Sequence, residues 1–362
     1  MVVSQGVSEH VTELEESPDD RCGYVHDLST LDGVGPACCY RPSWKDGEAC
    51  IWHSETDDPP NELYEELVPQ PGERLDGATI PHIELVDKDW FEACTLIGAR
   101  FDDTVVRGSS FVGADLREAV FDNVDARHAD FSDADIRGGS YTSVDFRDAT
   151  FVNARIAQAA MTNTRVNRET DFGDVSRGER EFMEASSQTE YREWAEAAVW
   201  TYRTIHSLYV DNALPLEARR FYYREKDMRR RLAWKMGHYV QALKAEGSRW
   251  VTGYGMNPYR VVGSAAVVIL VCAFLFPLTG GIEETSGETS IIWSIDHLGQ
   301  SIDFLVFIYL KSIYFSIITF TTLGYGDIRP VGNMARAIAG IESLLGALLT
   351  AMLVFVLSRR IS

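Results

Sequence analysis

Lysine is scarce in this chain, supplying only 6 of its 34 basic residues against 54 Asp and Glu. A lysine-poor, acid-rich surface stays hydrated in concentrated salt. At about 1 M salt the Debye length falls to roughly 3 Å, which screens the self-repulsion of an acidic surface. With a formal charge of −20, the composition is that expected of a protein from a halophilic cytoplasm. Residues 1–20 are acidic and contain no basic-then-apolar leader, which argues against a secretory signal. The six cysteines fall at uneven spacings, so disulfides are not the first reading. The histidines and acids form no catalytic constellation and no glycine-rich phosphate loop occurs, so no enzyme activity is expected. No helix carries Arg at every third position, which excludes a voltage-sensing segment. Nothing follows Ser362, so no nucleotide- or calcium-binding ring is expected there.

What is present is unevenly distributed. The formal charge is −16 over residues 1–90, −6 over 91–175, +3 over 176–258 and −1 over 259–362. At 362 residues a multidomain chain is expected, with an acidic N-terminal region at 1–90, a repeat at 91–175, a helical hairpin at 188–250 and a membrane domain at 258–362. The stretch from Ser54 to Gly72 reads as a solvated linker.

From Phe91 a strict five-residue period runs through Leu96, Phe101, Val106, Phe111 and Leu116 to Val166. Small residues such as Ala99, Ala114, Ala119 and Gly139 stand two places before many of these positions. No helix or ordinary strand has period five, whereas a coil of five-residue sides buries one large and one small residue per side and repeats indefinitely. The segment, with "FDNVDARHADFSDADIRGGS" as a sample, resembles the pentapeptide-repeat family. That resemblance implies a right-handed quadrilateral β-helix, here of four coils, about 19 Å long at roughly 4.8 Å per layer. Arg107, Arg117, Arg127, Arg137 and Arg147 recur every ten residues and form like-charged ladders, so interleaved acids such as Asp125 and Asp145 are expected to pair with them.

Between 188 and 250 apolar residues recur at three and four, and Pro215 suits the start of a second helix running on towards Leu243. Its basic stretch, from Arg219 to Lys235, reads either as a solvated helix face balanced by Glu217, Glu225 and Asp227 or as a surface for lipid headgroups.

Val261 to Thr279 holds no charge, and Ala337 to Ser358 only Glu342. At 1.5 Å per residue each spans roughly the 30 Å of a bilayer core, so two transmembrane helices are expected. The intervening segment carries Glu283, Glu284, Glu288, Asp296 and Asp303, while the sequence before the first helix is basic. The positive-inside rule then places both termini in the cytoplasm and the chain in the cell membrane. A third apolar stretch, Phe304 to Phe320, has too little sequence after it to span again and must enter and return.

That stretch ends in "TTLGYGD". A dehydrated potassium ion needs oxygen ligands without full charge, which backbone carbonyls supply. Turning successive carbonyls towards one axis needs alternating dihedral handedness, hence Gly324 and Gly326 at alternate positions. Leu323 and Tyr325 are expected to point away from the axis, the Tyr325 hydroxyl meeting an aromatic cuff that includes Tyr314 and Phe315. One chain supplies one quarter of a ring, so a homotetramer is implied. Residues 258–360, with "TFTTLGYGDIRP", resemble the two-transmembrane potassium channel family. The resemblance implies an all-α pore with a re-entrant pore helix at Tyr314 to Thr321, K+ as the transported ion and a gating hinge at Gly346. It places the selectivity filter at Thr321, Thr322, Leu323, Gly324, Tyr325, Gly326 and Asp327. Leu323 stands where Val or Ile is commoner, and Ile318 where some members place an acid. Glu342 either takes over that acid's service or pairs with a polar group at a subunit contact.

Cys22, His26, Cys38, Cys39, Cys50 and His53 cluster near the N-terminus. Cys22, Cys39, Cys50 and His53 form one possible set of zinc ligands, and reduced structural cysteines are the other reading. Cys94 and Cys272 read as inert packing. Membrane lipid, further copies of the chain and a cytoplasmic protein docking on the β-helix are the expected partners. Five regular arginines argue against a DNA-mimicking repeat, and no nucleic-acid partner is expected. The competing function is a membrane-anchored scaffold with an inactive pore, which loss of a filter residue would have favoured, and none is lost.

Overall fold

The computed structural model describes residues 21–22, 24–26, 37–39, 41–44, 49–54, 61–286, 289–294 and 302–361. Glu288 and Asp296 lie outside them. The chain divides into two units, Met1–Lys235 and Met236–Ser362.

In the first unit, short strands β1 (Val25–His26) and β2 (Ala37–Cys38) pair antiparallel and are followed by the helix α1 (Asn61–Glu66). Five parallel strands come next: β3 (Thr79–Pro81), β4 (Arg100–Asp102), β5 (Val120–Asp122), β6 (Ser140–Thr142) and β7 (Ala160–Thr162), paired in that order. Three further parallel ladders of single bridges run through Thr95, Asp115 and Asp135, through Val105, Asp125 and Asp145, and through Ser110, Asp130 and Thr150. Four ladders make each coil four-sided.

Each side buries one large residue, and the rings stack in columns. Phe111 lies 4.8 Å from Phe131 and Phe131 5.0 Å from Phe151, each pair at 5°. Phe101 lies 4.3 Å from Phe121 in a second column. The spacing between strands thus matches that of stacked rings. Corners repeat with the same period: Asp103, Asn123, His128, Asp133, Asp148 and Asn153 all have positive φ. Short polar side chains tolerate that conformation best, which accounts for the acid- and Asn-rich corners. Gly139 replaces the usual Ala because a Cβ there would come within 2.8 Å of the Tyr141 ring and 3.0 Å of the Ala119 carbonyl.

The stack starts earlier than the expected boundary at residue 91. Leu75, Ile80 and Leu85 are fully buried, and Ile80 pairs with Phe101. That step is 21 residues, whereas Phe101 to Phe121 is 20. One inserted residue before Phe91 shifts the phase, so a count run backwards lands on Val86 and Pro81. The segment expected as solvated linker likewise contains α1, whose Tyr64 is buried.

At the far end, α2 (Arg177–Glu184), α3 (Gln188–Asp211) and α4 (Pro215–Lys235) follow. Phe172 extends the ring column onto Tyr209 and Phe221 of the α3–α4 hairpin. Tyr209 donates to the Thr170 carbonyl, and the Asn212 side chain accepts from Val166 and donates to Thr164, so the hairpin covers the last coil. Much of the basic stretch is paired with acids: Arg224 and Arg231 reach buried Glu179, Arg229 pairs with Glu225, and Arg230 and Arg231 flank Asp227. Arg224 and Arg231 thus tie α4 to α2, a role neither expectation assigned them, while the pairs with Glu225 and Asp227 lie within α4. The second hairpin helix stops at Lys235, and Gly237, with φ +74, breaks the run expected to reach Leu243.

In the second unit, α5 (Tyr239–Thr252) leads into α6 (Pro258–Leu278), capped by the Asn257 side chain. Strands β8 (Ile282–Ser286) and β9 (Thr289–Trp293), helix α7 (Ile302–Phe320), strand β10 (Ile328–Pro330) and helix α8 (Gly332–Ile361) complete it. α6, α7 and α8 are each long and apolar enough to cross a membrane, by length and composition. Their outward faces expose Val267, Phe274, Leu344 and Val354, a load that only lipid or further protein covers.

The Asp/Arg forks on the coil faces generate a pH prediction. Arg127 grips Asp125 at 2.7 Å and Arg147 grips Asp145 at 2.6 Å. The hydrogen bond from Arg127 lowers the Asp125 carboxyl below its ordinary value; burial raises that of Asp145, but Arg147 outweighs it. Depressed folded values mean that the stabilisation is complete above the unfolded carboxyl range, near pH 4, and is lost as pH falls below it. The thermal midpoint of the stack should fall between pH 5 and about pH 3. Asp125→Asn with Asp145→Asn should lower it at pH 6 and flatten that acid slope; an unchanged slope in circular-dichroism melts would refute the assignment.

Candidate functional site

The loop 321–327 joins α7 to β10. Thr322, Gly324 and Gly326 have φ of +57, +51 and +82, so every second residue is left-handed. Such alternation lets successive carbonyls face one side. Thr322 joins the two glycines expected to do this. The inner end of the loop is hooked to the last turn of α7 by Thr322 N–H to Thr319 O at 3.1 Å and Leu323 N–H to Ile318 O at 2.9 Å. The outer end is held by Tyr314, whose hydroxyl donates to Asp327 at 2.9 Å, and by Thr285 N–H to the Asp327 carbonyl at 2.9 Å.

The aromatic cuff is not formed within the chain. Tyr314 bonds Asp327, while Phe315 is buried edge-on to Phe276 at 4.8 Å. Leu323 and Tyr325 are exposed on the single chain.

A three-stranded sheet, ordered β10, β8, β9, anchors the outgoing end of the loop. Through it the chain leaving the loop returns to the end where α6 finishes: Pro330 pairs with Ile282, four residues after α6. Lys311, midway along α7, donates to Glu284 of this sheet at 2.7 Å, and Arg329 forks onto Glu283. The first half of α7 therefore lies beside the sheet, and Ser312–Phe320, about 13 Å at the helical rise, runs on past it along α6. Ser316 reaches the Ile269 carbonyl in the middle of α6 at 2.8 Å. This sheet was missed in the sequence, although alternating "IEETS" and "TSIIW" around a glycine carried a hairpin signal.

Glu342 is fully buried and accepts from the Ser316 hydroxyl, so its partner lies on α7 of its own chain. α8 is continuous through Gly346, where a Cβ would overlap the Phe320 carbonyl at the foot of the loop. The close approach leaves no room for a side chain at 346.

The Cys/His cluster lies in the other unit. Donor atoms of Cys22, Cys39, Cys50 and His53 all fall within 4.8 Å of one another, and all four residues are buried. Cys39 and Cys50 sulfurs are 3.7 Å apart, and His53 Nδ1 is 3.7 Å from Cys22 and 3.3 Å from Cys50. Tetrahedral zinc with bonds of about 2.3 Å to sulfur and 2.0 Å to nitrogen has edges of roughly 3.8 and 3.5 Å, so the set fits. His53 Nε2 lies 3.1 Å from the Asp76 carbonyl, which leaves Nδ1 facing the sulfurs, and Tyr24 stacks on the ring at 4.2 Å. His26 stays apart, bonded to the Tyr24 hydroxyl at 3.1 Å. The Cys38 side chain lies outside the described residues. Cys94 and Cys272 are buried and free.

Comparison with known proteins divides the chain the same way. Residues 264–362 match the family described as ion channel. Residues 99–138 and 129–168 match pentapeptide repeats, in eight copies. No curated protein matches. Among solved structures, a pentapeptide repeat protein from the Arabidopsis thaliana thylakoid lumen is 20% identical, with a TM-score of 0.18, over 28% of this chain and 70% of its own. The pentapeptide repeat protein Rfr23 from the cyanobacterium Cyanothece 51142 is 15% identical, with a TM-score of 0.14, over 31% of this chain and 97% of its own. The class is that of membrane proteins with an ion-channel domain. More particularly, the chain joins such a domain to a pentapeptide-repeat region, and neither family is one of enzymes.

The contact at Gly346 is directly testable. Gly346→Ala should lower the thermal midpoint of the detergent-solubilised protein by several degrees, whereas Gly340→Ala, with nothing within 4 Å of its added methyl, should not. Equal midpoints for the two variants would contradict this packing role.

Proposed function

We propose that the chain is one subunit of a homotetrameric, potassium-selective channel of the cell membrane. The observation that carries the reading is the alternating handedness at Thr322, Gly324 and Gly326 in a loop held between apolar helices. Thr321 to Asp327 would then form the selectivity filter, with carbonyls and the Thr322 hydroxyl replacing the water shell of K+. α6 and α8 span the membrane, α7 enters and returns as the pore helix, and both termini are cytoplasmic. The depth implied by Lys311–Glu284 supports the re-entrant path, because seven loop residues reach at most about 25 Å. Four copies around an axis would cover Leu323, Tyr325 and the exposed apolar faces.

In this reading the pentapeptide-repeat stack, wound right-handed as its family implies, is cytoplasmic and carries one zinc ion per chain at Cys22, Cys39, Cys50 and His53. It regulates the pore through the short connection from α4 to α5, and Gly346 is the point about which α8 yields on opening.

Reconstituted protein should pass K+ with at least tenfold preference over Na+, as the carbonyl filter requires. Gly324→Ala should abolish flux, because a left-handed Ala costs about 1 kcal/mol or more in every subunit. Equal K+ and Na+ flux would sink the reading. Deleting residues 1–235 should change open probability about fivefold or more, the low end of allosteric coupling, and leave selectivity intact. A truncated channel that opens like the full chain would make the β-helix a docking platform instead.

A further inference from the structure

The two ends of the β-helix are closed by different means. Any such stack leaves at each end unpaired strand backbone and a layer of apolar side chains open to water. The C-terminal end is covered by two long helices, which carry their own hydrogen-bond ladders and packed interface. The N-terminal end is covered by residues from between 21 and 68, and among the described ones the regular structure amounts to two-residue strands and a six-residue helix. Elements so short have no stability of their own.

Yet this cover is fitted closely to the first coil. Trp52 is fully buried, edge-on to Phe91 at 5.9 Å and to Tyr64 at 5.0 Å, and its carbonyl accepts from Thr79 of β3 at 2.7 Å. Arg41 forks onto Glu73. Gly77 and Gly98 take the corner positions that later coils continue as Glu118, Gly138 and Gln158. A Cβ on Gly77 would fall 2.5 Å from His26 Nδ1, and one on Gly98 2.7 Å from His26 Nε2. The first coil is thus shaped to receive the β1 segment.

Resting on the zinc reading, we propose that the metal is the clasp that closes this end of the stack. Three segments of the cover, at Cys22, Cys39 and Cys50–His53, come together at the donor cluster. Cross-linking them removes the loop entropy that so small a cover could not otherwise overcome. His53 is the joint: Nδ1 faces the three sulfurs and Nε2 the Asp76 carbonyl of the first coil. Asp76 is itself buried and accepts from Ile97 N–H and Arg74, so the joint ends on a fixed point. Three sulfurs and one imidazole, buried together, suit zinc better than a hard cation.

The test uses the full chain in detergent, purified under reducing conditions. Elemental analysis should find about one zinc per chain, and Cys50→Ser should lose it. Removing zinc with a chelator should speed amide exchange at residues 74–82 about tenfold or more, and added Zn2+, but not Mg2+, should restore protection. Residues 164–172, under the α3–α4 hairpin, should be unaffected. His53→Cys preserves a four-ligand site but loses the tie to Asp76, so it should keep its zinc and still exchange faster at residues 74–82. Absence of zinc from the reduced wild-type protein would overturn the zinc reading itself. Stoichiometric zinc whose removal leaves exchange at residues 74–82 unchanged would uphold that reading and overturn the clasp.

Discussion

Every backbone N–H and C=O withdrawn from water must find a partner, and that requirement organises both units. In the repeat stack each coil is satisfied by the coils above and below, through ladders such as Phe101 to Phe121 and Asp125 to Asp145. A stack built this way has no natural stop, so it needs covers. The Asn212 side chain, bonded to Val166 and Thr164, serves one end, and the Trp52 carbonyl, bonded to Thr79, serves the other.

The second unit meets the same requirement where apolar helices leave no water. Its helices satisfy their own backbones, while residues 321–327, between α7 and β10, are tied at both ends and on the proposed function lie at membrane depth with carbonyls left for another partner. On the proposed function that partner is the permeating ion. The Lys311–Glu284 pair and the β10–β8 ladder fix where the loop begins and ends, so on that reading conduction would depend on a small sheet outside the apolar helices.

Patterns with a fixed period or a fixed motif were legible in the sequence. The five-residue repeat from Phe91 identified the coil, its inward residues and its Asp/Arg pairing, and the glycines at 324 and 326 marked the loop with left-handed backbone. What escaped were features that depend on a single residue or on distant partners. One inserted residue before Phe91 hides the first coil, because a single five-residue phase extended backwards misses Leu75, Ile80 and Leu85. Gly237 ended a helix whose apolar and basic residues continued past it. The arginines of α4 read as a surface because their partner Glu179 lies some 45 residues earlier in the chain. Cys22, Cys39, Cys50 and His53 were named as one set among several, and only the fold brought their donor atoms together. Gly346 was noticed for the freedom it gives a helix, whereas its neighbour, the Phe320 carbonyl, becomes visible only once α7 and α8 are packed.

The central claim is that residues 321–327 of four chains surround a file of dehydrated cations. Its most direct test is an experimental structure of the purified protein in potassium, repeated with thallium as an electron-dense substitute. The account predicts a fourfold ring with ion density on the axis at the levels of the Thr322 to Tyr325 carbonyls. A fourfold ring with no axial density, or an assembly in which these loops do not face one another, would contradict it.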